Sequence, residues 1–155
     1  MRALVGAGLV LDFLVFERHL PSVLRALEAT PGLRAVIDHV AKPNLRGGDL
    51  RSWRAGLSQV ARHENIYCKL SGLVTEADPA RLDAALLAPV VEHALAVFGE
   101  DRLIFGSDWP VCTLAASYER VLELLRAVLG NQSAAFERKL FGDNARRLYG
   151  IVSSA

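Results

Sequence analysis

The strongest constraint on this chain is a set of four short, unbroken apolar runs, at residues 9–16, 34–38, 66–70 and 102–107. Each is followed by a loop and then by a helical pattern, and their starts are separated by about the 30 residues of a βα unit. The runs, LVLDFLVF and RLIFG among them, are continuous rather than alternating, as expected of parallel strands covered on both faces. Strand alternating with helix restricts the fold to an open doubly wound sheet or a (β/α)₈ barrel. The first option lacks its phosphate-binding glycine pattern. No GxGxxG follows the first run, and Gly47-Gly48 lies in a Pro/Asn/Arg context unlike a phosphate cradle. A barrel is therefore expected, although a full one takes about 250 residues and only four βα units are present.

Helix boundaries follow from local signals. Pro21 opens SVLRALEA, Asp49 is a candidate cap for LRSWRAGLSQVA, and Asp78-Pro79 is predicted to cap one long helix, ARLDAALLAPVVEHALAVFG, closed by Gly99. SYERVLELLRAVLG is amphipathic through Val121, Leu122, Leu124, Leu125 and Val128. Two final helices are predicted, SAAFERKLFG capped by Ser133 and DNARRLYGI capped by Asp143, with Gly142 separating them.

Charge and cysteine content narrow the function classes. The formal net charge is +1 and the Lys and Arg residues are scattered, so no basic stripe suits a nucleic acid, which is not an expected partner. Cys68 and Cys112 are far apart with no CxxC spacing, and are expected to be buried reduced thiols. The opening MRALVGAGLVLDFLVF superficially resembles a secretory leader. Asp12 interrupts it, no small-x-small site precedes Glu17, and it falls short of the roughly 20 apolar residues of a membrane span. A cytoplasmic protein with no membrane partner is the expectation.

Polar residues gather where the strands end, the edge at which barrels and open α/β sheets place their active sites. VIDH ends in Asp38 and His39, YCKLS in Lys69 and Ser71, and IFGSDW in Ser107 and Asp108. Each has a structural alternative. Asp108 could cap a turn before Trp109-Pro110, and His39 could be a satisfied core histidine. Lys42 reads as a solvated loop cation. Lys69, inside a strand, is either an outward snorkel or a site residue. His19, His63 and His93 fall on helical segments away from the strand ends and read as surface residues.

The segments VIDHVAKPNLRGG, NIYCKLSGLVTEAD, RLIFGSDWPVC and FGDNARRLYGI resemble the amidohydrolase-related (amidohydrolase 2) family of TIM-barrel metal-dependent hydrolases, with sugar-lactone and pyrone-lactone hydrolases as its most similar branch. The likeness runs from about residue 9 to residue 151. It implies an α/β fold, the C-terminal half of a (β/α)₈ barrel with about four βα units plus C-terminal helices, so that residues 1–155 form one partial domain. It also implies hydrolysis of a small-molecule lactone. Asp108 is similar to the family's general base, which takes a proton from the attacking water and can touch a metal. His39 looks like the residue that binds metal or polarises the scissile carbonyl. A divalent ion, Zn or Mn, and a metal-independent route both stay open.

The chain departs from the family pattern at one point. Members carry an HxH motif at the end of the first strand, and no HxH occurs here. A zinc site ordinarily takes three protein ligands plus water, and two candidates fall short of that. The expectation is thus a lactone hydrolase whose isolated chain is weak or inactive. The alternative is a catalytically silent half-barrel that persists as a fragment, a homodimer or the partner of a missing N-terminal half. SGLVTEAD and DWPVCTLAA are the loops expected to line the pocket. Amide hydrolysis or decarboxylation on the same scaffold stays open.

Overall fold

A computed structural model describes residues 1–152. The order of elements is α1 (Arg2–Gly6), β1 (Val10–Phe13), α2 (Leu20–Glu28), β2 (Arg34–Ile37), α3 (Arg51–Val60), β3 (Ile66–Leu70), α4 (Leu73–Glu76), α5 (Ala84–Phe98), β4 (Leu103–Phe105), α6 (Tyr118–Leu129), α7 (Ala134–Arg138) and α8 (Asn144–Tyr149). The strands form one sheet in the order β1-β2-β3-β4, every neighbouring pair parallel. All four predicted strands are present, each run fraying where its polar end leaves the ladder. This is the repeating βα arrangement of a (β/α)₈ barrel, over four units.

The two faces of the sheet differ. Ala35, Ile37, Ile66, Cys68, Leu70 and Leu103 turn to the helices and enter the main core with Leu57, Val60, Val90, Ala94 and Leu124. Side chains alternate along a strand, so the opposite face carries Val10, Val36, Tyr67 and Ile104, and only Leu148 and Ala145 of α8 join them in a small second cluster. Asp12 and Lys69 share that second face. The continuous runs thus gain a deep core on one side and a thin, partly charged layer on the other, rather than equal cover on both. In a closed barrel this second face points inward.

Several helix boundaries depart from the sequence reading. Asp78 caps only a single 3₁₀ turn, Pro79–Arg81, through Ala80 N at 3.0 Å. The long helix starts later, where Asp83 accepts from Leu86 N at 2.8 Å, and it carries Pro89 in its interior before Gly99 ends it. Asp49 is not the cap of α3, although its carboxylate accepts from Arg51 N at 2.9 Å. Ser117 and Ser133 do cap their helices. Gly142 does not separate two helices and Asp143 caps nothing with its side chain. A π-helical turn, Lys139–Asp143, joins α7 to α8 without a break, because Phe136, Leu140 and Leu148 all need burial along one continuous face. α1 and α4 were not foreseen: α1 lies in the leader-like opening, and α4 within SGLVTEAD.

Asn144 explains why the closing motif sits where it does. Fully buried, it donates from Nδ2 to the carbonyls of Glu100 and Leu103, both at 2.8 Å, and its Oδ1 accepts from Arg147 at 3.0 Å. These bonds tie the C-terminal helix to the start of β4 and satisfy carbonyls that would otherwise be buried without partners.

Candidate functional site at the strand ends

Directly after β2 the backbone enters an unusual turn. His39, Val40, Ala41 and Lys42 all have positive φ, between 49° and 60°. Left-handed backbone is costly for residues bearing a Cβ, and most of all for a β-branched one such as Val40. The turn persists because its surroundings hold it. Val40 and Ala41 are fully buried, Lys42 N donates to the His39 carbonyl at 2.8 Å, and the Trp53 indole N–H donates to the Val40 carbonyl at 2.7 Å. Strain of this kind concentrates where a side chain must be aimed. Here the side chain is His39.

The imidazole lies between the ends of β3 and β4. Its Nδ1 is 2.9 Å from Ser71 Oγ, and its Nε2 is 3.7 Å from Asp108 Oδ1. Gly72 lies beneath the ring with φ near +62°, and a Cβ there would fall 2.6 Å from Nδ1. Only glycine leaves the ring its place. Gly106 similarly makes room for Ser71, whose Cβ would be 3.0 Å from a Cβ at that position. Asp108 also has a positive φ, 59°, and its carbonyl accepts from Cys112 N at 2.8 Å, so the loop after β4 turns the carboxylate toward His39. The next peptide bond, Trp109-Pro110, is cis. The side chains of His39 and Asp108 are 17% and 14% exposed, enough to meet a small molecule from the strand-end side.

Asp38, His39, Ser71 and Asp108 are therefore brought to one edge of the sheet, as their positions after the strands suggested. Ser107 is set apart, accepting from Trp109 N at 3.2 Å within its own loop. Lys69 is neither a snorkel nor free to meet a ligand: its Nζ pairs with Asp12 Oδ2 at 2.6 Å and Asp38 Oδ1 at 2.8 Å. Burial would by itself depress the Lys69 pKa, but hydrogen bonding with Asp12, Asp38 and Tyr149 outweighs it and holds the ammonium well above its ordinary value. Tyr149 adds its hydroxyl to Asp12 at 2.9 Å. Lys42 is not a solvated cation either, since it pairs with Glu76 at 3.0 Å.

His93 is not a surface residue of no consequence. It packs against Trp53 with ring centroids 5.2 Å apart and approaches Ser58 Oγ at 3.2 Å, and desolvation lowers its pKa. Cys68 and Cys112 are buried and unbridged, and burial pushes the Cys68 thiol far above its usual range. Sequence reasoning missed Asp12, Glu76, Gly72 and Trp53. Asp12 had left a signal, as the lone charge in an apolar strand.

His39 and Asp108 are the two side chains at this edge able to ligate a metal. Among the described residues no group of three or more His, Cys, Asp or Glu side chains is arranged to hold an ion. One imidazole nitrogen and one carboxylate do not fit a zinc centre by themselves. No described helix is long and apolar enough to cross a membrane. Exposed Trp109, Val111 and Leu114 flank the site in the loop after β4, which is the loop expected to line a pocket.

The chain is similar to proteins of known activity. An L-fucono-1,5-lactonase of Burkholderia multivorans is 42% identical over 156 residues, covering 94% of this chain and 53% of that protein. Its counterpart in Burkholderia ambifaria is 45% identical over 116 residues, covering 75% of this chain and 40% of the relative. The crystal structure of an amidohydrolase from Burkholderia multivorans with bound zinc superposes with a TM-score of 0.89 at 44% identity, over 96% of this chain and 55% of that one. This chain thus spans about half the length of the curated relatives it matches, and its four βα units correspond to half of their TIM barrel. The family profile described as Amidohydrolase matches residues 1–151, and by that match the chain belongs to the amidohydrolase family.

Proposed function

We propose that the protein hydrolyses a small-molecule lactone, of the sugar-lactone or pyrone-lactone kind, at the edge where His39 and Asp108 meet. The observation that carries this reading is their separation. At 3.7 Å, Nε2 and Oδ1 are too far apart to be satisfied by each other and close enough to converge on one reacting group. In the proposed reaction Asp108 takes a proton from water as its oxygen attacks the lactone carbonyl. His39 Nε2 stabilises the charge gathering on the carbonyl oxygen. Collapse of the tetrahedral species breaks the ring C–O bond, and Asp108 returns its proton to the departing alkoxide, giving a hydroxy acid. The two donors do not complete a zinc or manganese site, so no step is routed through a metal, and the chemistry stands on this chain's own groups. The likeness to the fuconolactonases supports the substrate class.

The test is lactone hydrolysis by the purified chain, followed with a pH indicator, with and without added Zn²⁺ or Mn²⁺. It is repeated on the chain joined to the N-terminal half of a relative. Activity that falls at least about 100-fold in Asp108→Asn, with the fold retained, supports the assignment. Near-wild-type activity of that variant removes Asp108 from the mechanism.

A second reading, a silent half-barrel that pairs with another copy or a separate partner, is supported by the outer edges of β1 and β4. Neither has a strand neighbour among the described residues. A monomeric, well-folded species by light scattering across a concentration series would rule out self-pairing.

A further inference from the structure

We propose that Ser71 is a positioning residue for His39: its hydroxyl donates to Nδ1, so the neutral imidazole carries its proton on Nε2 and presents an N–H to the reacting edge. The argument starts from the hydroxyl, which can donate one hydrogen and accept others. Ser71 is 4% exposed, and His39 Nδ1, at 2.9 Å, is the one hydrogen-bond partner of Oγ among the described residues. If Nδ1 carried the proton, Oγ would accept it and the serine hydrogen would be left buried with nowhere to go. That is the more expensive arrangement, because an unmade bond of a buried donor forfeits its hydration without replacement.

Donation from Ser71 satisfies both groups and leaves Nε2 as the protonated nitrogen. The acceptor across from it is the Asp108 carboxylate, 3.7 Å away. Donor faces acceptor there, whereas the other tautomer would set a lone pair against a negative oxygen. The bed of the ring is built to keep this orientation. Gly72 leaves no room for a Cβ beneath Nδ1, Gly106 leaves none beside Ser71, and the left-handed turn at His39–Lys42 fixes where the ring hangs.

This inference deepens the hydrolase reading, since an Nε2–H is the form able to donate to a carbonyl oxygen. Its test needs no turnover, so its failure is distinguishable from failure of that reading. Long-range ¹H–¹⁵N spectra of the full chain report the protonation of each ring nitrogen, and with four histidines the His39 signals are assigned by their loss in His39→Gln. The expected result is Nε2 protonated and Nδ1 unprotonated, with the Nδ1 resonance displaced by an accepted hydrogen bond and a slowly exchanging Ser71 hydroxyl proton coupled to it. In Ser71→Ala the Nδ1 resonance should move to the position of a nitrogen with no donor. In Ser71→Thr, which keeps the hydroxyl, it should return. A proton on Nδ1 in the unaltered chain, or an Nδ1 resonance that ignores Ser71→Ala, overturns the proposal. The measurement on the unaltered chain and on Ser71→Thr decides the matter even if the alanine variant does not fold.

Discussion

The Trp53 indole N–H donates to the Val40 carbonyl at 2.7 Å, joining α3 to the left-handed turn that follows β2. Both residues are fully buried. The bond supplies a partner to a carbonyl that the irregular turn has removed from the ladder, and so helps pay for the strain that aims His39. Trp53→Phe keeps most of the ring volume but removes the donor. It should cost about 1–3 kcal/mol, the penalty for an orphaned buried acceptor, read as a lower urea midpoint at unchanged slope. A midpoint within error of the unaltered chain would show that the turn is held by packing alone.

Gly72→Ala tests the bed of the imidazole. The added methyl would lie 2.6 Å from His39 Nδ1, inside any allowed contact, on a backbone with φ near +62° that disfavours a Cβ. Because the methyl meets the ring rather than the main core, the ring should move first. The expected outcome is activity of the assembled enzyme reduced about 100-fold, since small misplacements cost that much, with a smaller loss of stability, about 1–2 kcal/mol. The comparison is a kinetic assay against a denaturation curve on the same sample. Full activity would mean that His39 does not need its observed position.

Lys69 holds β1, β2 and β3 together through Asp12 and Asp38. Lys69→Met leaves both carboxylates without their cation. The site is half-buried, between an exposed pair worth under about 1 kcal/mol and a buried one whose breaking costs 3–5, so a loss of about 2 kcal/mol is expected. The pH dependence has a defined sign. The folded-state pKa of Lys69 is raised, so its contribution is complete below the unfolded value of about 10.4 and is lost as pH climbs through the higher folded value. The stability gap between the chain and Lys69→Met should be level with respect to this group from neutrality to about pH 10 and shrink above that. A gap that closes between pH 7 and 9 would contradict the pairing.

Asn144→Ala removes two donors to the carbonyls of Glu100 and Leu103 and leaves Arg147 short of an acceptor. A loss of about 2–3 kcal/mol is expected, accompanied by faster amide exchange in α8, which this residue ties to β4. Unchanged protection of α8 would show that Leu148 packing suffices.

Much of this architecture was legible from one pass along the chain. The strands at Val10–Phe13, Arg34–Ile37, Ile66–Leu70 and Leu103–Phe105 and the caps at Ser117 and Ser133 depend on residues a few positions apart. So does the placing of His39 and Asp108 after strands, because where a strand ends is itself a local property. The boundary errors came from competing local signals. Asp78-Pro79 offered a start that the chain uses for one turn only, and Gly142 offered a stop that burial of Leu140 and Leu148 overrode.

The sequence by itself determined the alternation of strand and helix, the parallel sense of the sheet and the set of polar groups delivered to one edge, because backbone sterics and hydrophobic period act within a single element. Only the tertiary structure decided how those groups pair. Lys69 reaches Asp12 across 57 positions and His39 reaches Ser71 across 32. Those contacts depend on strand register and on a left-handed turn stabilised by Trp53 from another element. Neither is encoded in any local pattern, since the energy that maintains them comes from burial and hydrogen bonds made only once the layers have packed.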